Sequence, residues 1–417
     1  MKAVEFDLTV PRYLLGRALG GITSAVTFGG LSGLRLRDLR EPALPGPEWV
    51  RLEVLAAGIC GTDLAVLTFA TGTLMEPFSS FPAVLGHEVV ARVAEVGPAV
   101  TRVQPGQRVA VEPTISCQTR GYGSGEICSA CEEGYPATCG NAGEDGPLNL
   151  DGEPLAPGLS IGYHRDLPGG WGESMIVHQN HLFPLPEELT EGMAVLMEPL
   201  SVAVHAVLGS PPDPADQVLV LGSGPIAMAT IWALRATGFE GTVVTQVKRA
   251  KEAEIARSLG ATEVVAPGPE ARQALVDTGA QAYLPLVGPE VYAGGGFPVV
   301  YDCVGRRESL EQALRYSAPR GRITLLGCTG QVRKLDLTFL WARELEVKGY
   351  LGYGREEWEG QTCHSFEVTG ELLLRTEAPV EKMVTHVFPL RQYRDALKAA
   401  SNRRVSGAMK VVLKPNL

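Results

Sequence analysis

The sequence has no surplus of positive charge. Its 37 lysine and arginine residues are outnumbered by 47 aspartate and glutamate residues, which gives a formal net charge of -10 at pH 7. A protein that binds nucleic acid presents a basic face to the phosphates, so this balance argues against a nucleic-acid partner.

Long hydrophobic runs are also lacking. The most apolar early stretch, residues 13–34, contains Arg17 and six glycines, whereas a membrane-spanning helix needs about 20 predominantly apolar residues. Glu5 and Asp7 lie where a secretory signal peptide would carry basic residues. We therefore expect no membrane segment and a cytoplasmic protein.

Cysteine is sparse and unevenly placed. Four of the eight cysteines fall between Cys117 and Cys139. In a reducing compartment such a cluster is more typical of a metal site than of a disulfide framework. A chain of 417 residues is also long enough to bury a core without covalent cross-links.

Hydrophobic patterning divides the chain into two kinds of region. Residues 47–185 carry short apolar runs separated by glycine and proline, a pattern that predicts antiparallel strands joined by turns. From residue 192 onward, strand-like segments such as Gln217–Leu221 alternate with helical patterns such as residues 251–259. This alternation predicts βαβ units on a parallel sheet, and a last strand is expected at residues 408–413.

Side chains of the types that bind zinc occur in three short motifs. They are Cys60 in GICGTD, His87 and Glu88 in GHE, and Glu198 in MEPL. Zinc accepts thiolate, imidazole and carboxylate ligands, and a catalytic zinc site keeps one position open for water or substrate. Taken singly, each residue also fits an ordinary buried side chain or turn. Together they favour a catalytic zinc centre.

The order and spacing of the motifs resemble the zinc-containing branch of the medium-chain dehydrogenase/reductase family, and the resemblance covers nearly the whole chain. The further motifs are GGWGE at 169–173, EPLSVAVHA at 198–206, GSGPIA at 222–227, YDCVG at 301–305 and RGRITLLG at 320–327. The resemblance implies an α/β fold with a GroES-like β domain and a Rossmann domain built on a doubly wound parallel sheet.

The family also implies domain boundaries. The GroES-like catalytic domain is expected at residues 1–188, with a structural-zinc lobe at about 113–142. The Rossmann domain is expected at residues 189–344, and residues 345–417 return to the catalytic domain.

The family implies an enzyme that transfers a hydride between an alcohol, polyol or sugar hydroxyl and NAD(P). Cys60 and His87 match its first two catalytic zinc ligands. Glu198 stands where the alcohol-specific members carry a third cysteine, a feature of the polyol, glucose and threonine dehydrogenases. In that branch Glu88 and Glu198 alternate as ligands or hold the metal through water, and the sequence leaves open which of them binds it.

Thr62 matches the hydroxyl that relays the substrate proton in the family. A hydroxyl suits this task because it donates and accepts at once. The alternative is a turn threonine that bonds its own backbone. The ionisable residue that often follows three positions later is here Ala65, so the rest of the proton route is open.

Cys128, Cys131 and Cys139 match the last three ligands of the family's structural-zinc lobe. The first ligand is expected at Gly125, which cannot bind a metal. Cys117 is the nearest substitute, because a glycine-rich spacer separates it from Cys128. The alternative is that zinc is absent and packing holds the lobe.

Gly222, Gly224 and Ala227 form a GxGxxA turn between an apolar strand and a helix. Such a turn lets the backbone approach a dinucleotide pyrophosphate at the helix N-terminus.

The residue expected to select between NAD and NADP lies at the end of the next strand. Counting back from the family's Leu-Gly-Ala, here residues 259–261, this position is Val247. An acidic residue there would bind the ribose of NAD, and its absence before Lys248 and Arg249 favours NADP over NAD. The alternative is that the basic pair is an ordinary solvated surface.

Two other functions would account for the dinucleotide-binding motif alone. A zinc-free NADPH reductase of the quinone or enoyl type would lack the cysteine and histidine ligands. A non-catalytic dinucleotide-binding protein would need no open zinc site.

The expected partners are a small alcohol or polyol substrate and further copies of the chain in a homo-dimer or homo-tetramer. Residues 11–33 extend the family's usual start. They are expected to line the substrate mouth, to cover a subunit interface or to form an extra packed hairpin.

Overall fold

The structure, a computed structural model, describes residues 1–328 and 330–417, without the side chain of Thr73. These residues group into two units. The first unit consists of Met1–Glu198, Gly352–Leu374 and Val384–Leu417. The second unit consists of Pro199–Leu351 and Arg375–Met383.

Antiparallel pairing dominates the main sheet of the first unit. In spatial order its strands are Leu182–Pro184, Arg108–Val111, Glu88–Val96, Trp49–Ile59, Lys410–Lys414 and Val384–Pro389, with Ser174–His178 also paired to Trp49–Ile59. Only the last two of the ordered strands, among the described residues, pair in parallel. The strand Trp49–Ile59 is buried along most of its length because it is central and apolar. The C-terminal strand completes this sheet, so distant parts of the chain meet beside Cys60.

The remaining elements of the first unit are short sheets, hairpins and helices. A smaller sheet pairs Leu34–Asp38, Lys2–Phe6 and Ala83–Val84, and two hairpins pair Gly146–Leu150 with Glu153–Leu155 and Arg355–Trp358 with Gln361–His364. The helices are Val10–Leu19, Gly61–Leu67, Ser129–Glu132, Glu191–Ala194, Ser365–Arg375, Tyr393–Ser401 and Arg403–Ser406.

The expected hairpin within residues 11–33 is wrong. This segment contains the helix Val10–Leu19, followed by a single 3-10 turn at Ser24–Val26. Pro11 lies in the first turn, where its missing N–H is not needed, and leucine, arginine and alanine favour helix in the following turns. The helix ends before Gly20, and most of the glycines of the segment lie beyond it.

The second unit is built on a parallel sheet, as the alternating pattern predicts. In spatial order its strands are Glu263–Val265, Thr242–Gln246, Gln217–Leu221, Phe297–Asp302, Ser317–Leu325 and Glu346–Gly349. The helices are Met197–Gly209, which begins in the first unit, then Pro225–Ala236, Ala250–Ser258, Pro269–Asp277, Arg307–Tyr316 and Thr338–Ala342, and a hairpin pairs Gln281–Tyr283 with Val291–Ala293.

The strand order of this sheet runs outward in both directions from Gln217–Leu221. That is the doubly wound arrangement, in which a ligand binds where the order reverses, at the carboxyl ends of the strands. In the described residues, no helix combines the length and the apolar character that crossing a bilayer requires.

Candidate functional site

Cys60, His87 and Glu88 lie together in the first unit because of strand register. The strands Trp49–Ile59 and Glu88–Val96 run antiparallel with Gly58 opposite Glu88, so the end of one strand meets the start of the other. One ligand atom from each of the three residues lies within 4.8 Å of the others. A Cβ at Gly58 would overlap the Glu88 carboxylate, so this close approach requires glycine.

Glu88 is also paired with Lys410, which the sequence analysis did not identify. Lys410 Nζ donates to both carboxylate oxygens, at 2.6 Å to Oε2, and both side chains are buried. Burial alone would lower the pKa of Lys410, but the charges of Glu88 and Cys60 raise it overall. The partners are 322 residues apart in the sequence, so no local pattern indicates the pair.

Glu198, in the first turn of Met197–Gly209, is not among the three residues whose ligand atoms lie within 4.8 Å of one another. It is buried and accepts a hydrogen bond from the Tyr353 hydroxyl, a second partner that the sequence analysis missed. Burial raises the pKa of Glu198 to about 8, and the neighbouring Glu88 adds to the effect. The side chain therefore holds a proton near neutral pH unless a cation joins the cluster.

Asp63 and Tyr163 contact the other side of His87. Tyr163 Oη lies 2.6 Å from Asp63 Oδ1 and 3.2 Å from His87 Nδ1, and the Cys60 amide donates to Asp63 Oδ2 at 2.8 Å. Thr62 Oγ1 is 3.5 Å from His87 Nε2. Burial would lower the pKa of His87, but Asp63 and Cys60 raise it well above its usual value. Burial raises the pKa of Tyr163, so its hydroxyl stays protonated.

The ligand atoms of this cluster are the types that zinc accepts. Cys60, His87 and Glu88 offer a sulfur, an imidazole and a carboxylate within reach of one ion. Asp63 and Lys410 contact the cluster as buried charged groups of opposite sign. The donor set therefore fits a zinc ion.

The cysteines of the lobe form a second cluster in the first unit. Sulfur atoms of Cys117, Cys128, Cys131 and Cys139 all lie within 4.8 Å of one another. Cys139 Sγ is 3.6 Å from Cys117 Sγ and 3.9 Å from Cys128 Sγ, far beyond a disulfide bond of about 2.05 Å. Four sulfurs at about 2.3 Å from a tetrahedral zinc would be about 3.8 Å apart. The structure thus brings Cys117 to the position that Gly125 cannot fill.

Hydrogen bonds to sulfur lower the pKa of Cys128 and Cys139, whereas the pKa of Cys117 and of Cys131 is raised. The amides of Cys128 and Gly140 donate to the sulfurs of Cys117 and Cys128, at 3.5 and 3.3 Å respectively. The Cys131 thiol bonds Cys139 and lowers the pKa of Cys139 to about 5. A thiolate is therefore present at neutral pH, which is the form that binds zinc.

The loop that carries Tyr163 is held by the neutral imidazole of His164. Its Nδ1 accepts hydrogen bonds from the amides of Asp166 and Leu167, at 3.1 and 3.3 Å. Nε2 therefore carries the proton and donates to the Ala156 carbonyl at 2.8 Å. Burial lowers the pKa of His164 to about 4.

Acid is expected to destabilise the first unit as the pH falls from about 6.5 toward 4. In this window the unfolded chain protonates His164 near its ordinary pKa of 6.5, whereas the folded chain resists until about 4. The unfolded state then binds more protons, so the free energy of unfolding falls by up to about 3 kcal/mol on account of His164, at 1.36 kcal/mol per pKa unit. Urea unfolding at several pH values measures how the free energy of unfolding depends on pH. The variant His164→Gln should reduce this dependence, and the control His386→Gln should not. An equal slope in wild type and His164→Gln would contradict the assignment.

The glycine turn of the second unit follows the strand Gln217–Leu221. Gly222 has φ +127°, a conformation that other residues rarely adopt, and Gly224 caps the helix Pro225–Ala236. Ala227 is fully buried. The turn therefore lies at the carboxyl end of a central strand and opens a helix, the geometry that a pyrophosphate site requires.

The two basic residues Lys248 and Arg249 have different surroundings. Val247 is buried, Lys248 is exposed, and Arg249 is half-buried and paired with the buried Glu252. Glu252 partly neutralises Arg249, so Lys248 is the more available cation of the two.

Two family models match the chain. The alcohol dehydrogenase GroES-like domain matches residues 46–187, and the zinc-binding dehydrogenase model matches residues 225–364. L-idonate 5-dehydrogenase of Vitis vinifera is 30% identical over 399 residues, covering 95% of this chain and 96% of that protein. The chain belongs to the zinc-dependent medium-chain dehydrogenase/reductase family.

Other proteins similar to this dehydrogenase are also named as dehydrogenases. Sorbitol dehydrogenase of Arabidopsis thaliana is 28% identical over 383 residues, covering 92% of this chain and 93% of that protein. A solved structure from Sinorhizobium meliloti 1021, described as a zinc-binding dehydrogenase bound to NADP, superposes with a TM-score of 0.69 at 26% identity and covers 99% of each chain.

Membership confirms the GroES-like and Rossmann fold and the enzyme class expected from the motifs. The dehydrogenase is a zinc-dependent oxidoreductase that transfers a hydride between a small alcohol and a nicotinamide cofactor. Family membership therefore favours the zinc-dependent dehydrogenase function over a zinc-free reductase and over a non-catalytic binding protein.

Proposed function

We propose that this dehydrogenase acts on a hydroxyl of a polyol or sugar-derived substrate. The observation that carries the proposal is the carboxylate of Glu88, which lies with Cys60 and His87 in a cluster that holds no second cysteine among the described residues. Two relatives, named for sorbitol and L-idonate, support the same substrate class. A panel of polyols, sugar acids and simple alcohols tests it, and faster turnover of simple alcohols would contradict it.

We assign the catalytic zinc to Cys60, His87 and Glu88. Lys410 uses one lone-pair site on each Glu88 oxygen, which leaves others for a metal. Glu198 lies outside this group of three and is influenced by the charges of His87 and Glu88. The structural zinc is assigned to Cys117, Cys128, Cys131 and Cys139.

When bound, zinc polarises the substrate oxygen and the dinucleotide provides the hydride acceptor. The residues of the chain bind and orient the substrate and move its proton. Thr62 Oγ1, 3.5 Å from His87 Nε2, would accept the substrate hydroxyl proton while it passes its own proton to a cofactor ribose hydroxyl and from there to water. The Tyr353 hydroxyl donates to the Glu198 carboxyl group and orients it.

The cofactor is assigned to the second unit, with Gly222, Gly224 and Ala227 approaching the pyrophosphate. We favour NADP over NAD, because no carboxylate stands at Val247 and the exposed Lys248 is available for the extra phosphate. Arg249 would contribute by leaving Glu252 or by bridging both groups.

Fluorescence titration with NADPH and NADH tests the cofactor assignment. The Lys248→Ala/Arg249→Ala variant is expected to lose about tenfold in NADPH affinity, about 1.4 kcal/mol, and much less in NADH affinity. Lys251→Ala, which removes another exposed cation of the same segment, is the control. Equal losses for both cofactors would show that the pair does not bind a ribose phosphate.

An assembly of two or four copies in the cytoplasm completes the proposal. The free thiols of the lobe suit a reducing compartment. The strand Glu346–Gly349 lies exposed at one edge of the parallel sheet, where another copy can pair. Light scattering on the purified protein measures the assembly, and a monomer would exclude it.

A further inference from the structure

Tyr163 links the buried carboxylate of Asp63 to the imidazole of His87. A phenol has one proton to donate, and Asp63 Oδ1 at 2.6 Å is a carboxylate acceptor at charge-assisted distance. The phenol oxygen is then left to accept the Nδ1–H of His87, 3.2 Å away. In the neutral imidazole that binds a metal, this pattern keeps the proton on Nδ1 and leaves the Nε2 lone pair free.

The carboxylate alone does not hold the ring as closely. Asp63 Oδ1 lies 3.4 Å from His87 Nδ1, longer than a normal N–H···O hydrogen bond. Its other oxygen accepts the Cys60 amide at 2.8 Å, so Asp63 is anchored to the segment that carries another ligand. Tyr163 therefore completes a bridge between two of the proposed zinc ligands.

We propose that Tyr163 is a positioning residue for the catalytic metal, acting through the tautomer and orientation of His87. The inference rests on the proposed ligand role of His87 and goes beyond it. Metal-bound histidines are commonly oriented by a group on the other ring nitrogen, and loss of that group costs about 10–100-fold in metal affinity. Here a phenol stands between the carboxylate and the ring. It comes from a loop outside the metal-ligand motifs, held in place by its neighbour His164.

Tyr163→Phe tests the proposal, because it keeps the ring and removes only the hydroxyl. Zinc affinity of the catalytic cluster, measured by chelator competition, is expected to fall about 10–100-fold. Zinc in the cysteine cluster should remain, which reports that the first unit is folded. With cobalt in the catalytic cluster, the visible absorption bands should shift as the imidazole turns. Tyr13→Phe, which removes a hydroxyl from a ring packed on Phe69, is the matched control and should change neither quantity.

A double-mutant cycle with Asp63→Asn separates the bridge from a general packing effect. If Tyr163 acts through its bond to Asp63, the two changes weaken zinc binding by less together than the product of their single effects. Independent effects, or a Tyr163→Phe affinity within twofold of wild type, would overturn the proposal. If His87→Ala itself leaves zinc affinity unchanged, the ligand assignment fails instead, and the two failures are thereby distinguished.

Discussion

Cys60→Ser is expected to remove the catalytic zinc and leave the zinc of the cysteine cluster in place. Serine offers a neutral hydroxyl where the cluster presents a sulfur to the ligand atoms of His87 and Glu88. Zinc prefers a thiolate there, and without the metal its transition-state stabilisation of several kcal/mol is lost. We expect turnover to fall by about 10³-fold or more, since each 1.36 kcal/mol is a factor of ten. Metal analysis should show that zinc is retained in only one of the two clusters.

Two further variants serve as comparisons for Cys60→Ser. Cys363→Ser changes a half-buried cysteine outside both clusters and should keep full zinc and activity. Glu198→Gln should keep zinc with affinity close to wild type if Glu88 is the third ligand, and loss of zinc would transfer that role to Glu198. Retention of both zinc ions and of turnover by Cys60→Ser would refute the catalytic assignment itself.

The catalytic ligands could be found from the sequence because they follow short motifs at strand ends. Cys60 comes directly after a long apolar strand, His87 precedes another and Glu88 begins it, so antiparallel pairing brings the three together. The strand Gln217–Leu221 was predicted with its observed bounds, because a fully buried parallel strand is a continuous apolar run.

The partners of those ligands could not be found in this way. Lys410, Tyr353 and Tyr163 come from segments remote in sequence, and each is an ordinary residue in its own local pattern. Only the long-range sheet pairing and the loop path place them against Glu88, Glu198 and His87. The pair Arg249–Glu252 illustrates the same limit at close range, because sequence shows the charge but not whether a neighbour neutralises it.

The cysteine lobe could be predicted from the sequence only in part. Sequence spacing identified three of its cysteines, whereas the fourth depended on a chain reversal that no motif specifies. In the structure Cys117 is fully buried, and its sulfur accepts hydrogen bonds from the Cys128 amide and from Asn141 Nδ2 at 3.4 Å. Burial nevertheless raises the pKa of the Cys117 thiol, so its thiolate form needs the compensating charge of a bound metal ion, and no disulfide occupies the sulfur.

Cys117→Ser is therefore expected to release the structural zinc and to lower the melting temperature of the enzyme. Binding energy of a structural zinc is folding energy, and losing one of four ligands should cost at least about 3 kcal/mol. At about 2–4 °C per kcal/mol for a unit of this size, the transition should move down by about 6–12 °C. Calorimetry and zinc analysis measure both effects, and Cys128→Ser should reproduce them.

The competing explanation is a lobe held without metal by Arg120. This buried guanidinium donates to the carbonyls of Ala142 and Glu144 at 3.2 Å and to that of Gly158. If packing and these bonds suffice, Cys117→Ser would leave the melting temperature unchanged and chelators would not affect the wild type. If zinc holds the lobe, chelation of the wild type should reproduce the Cys117→Ser transition, because the variant and the metal-depleted protein lack the same cross-link.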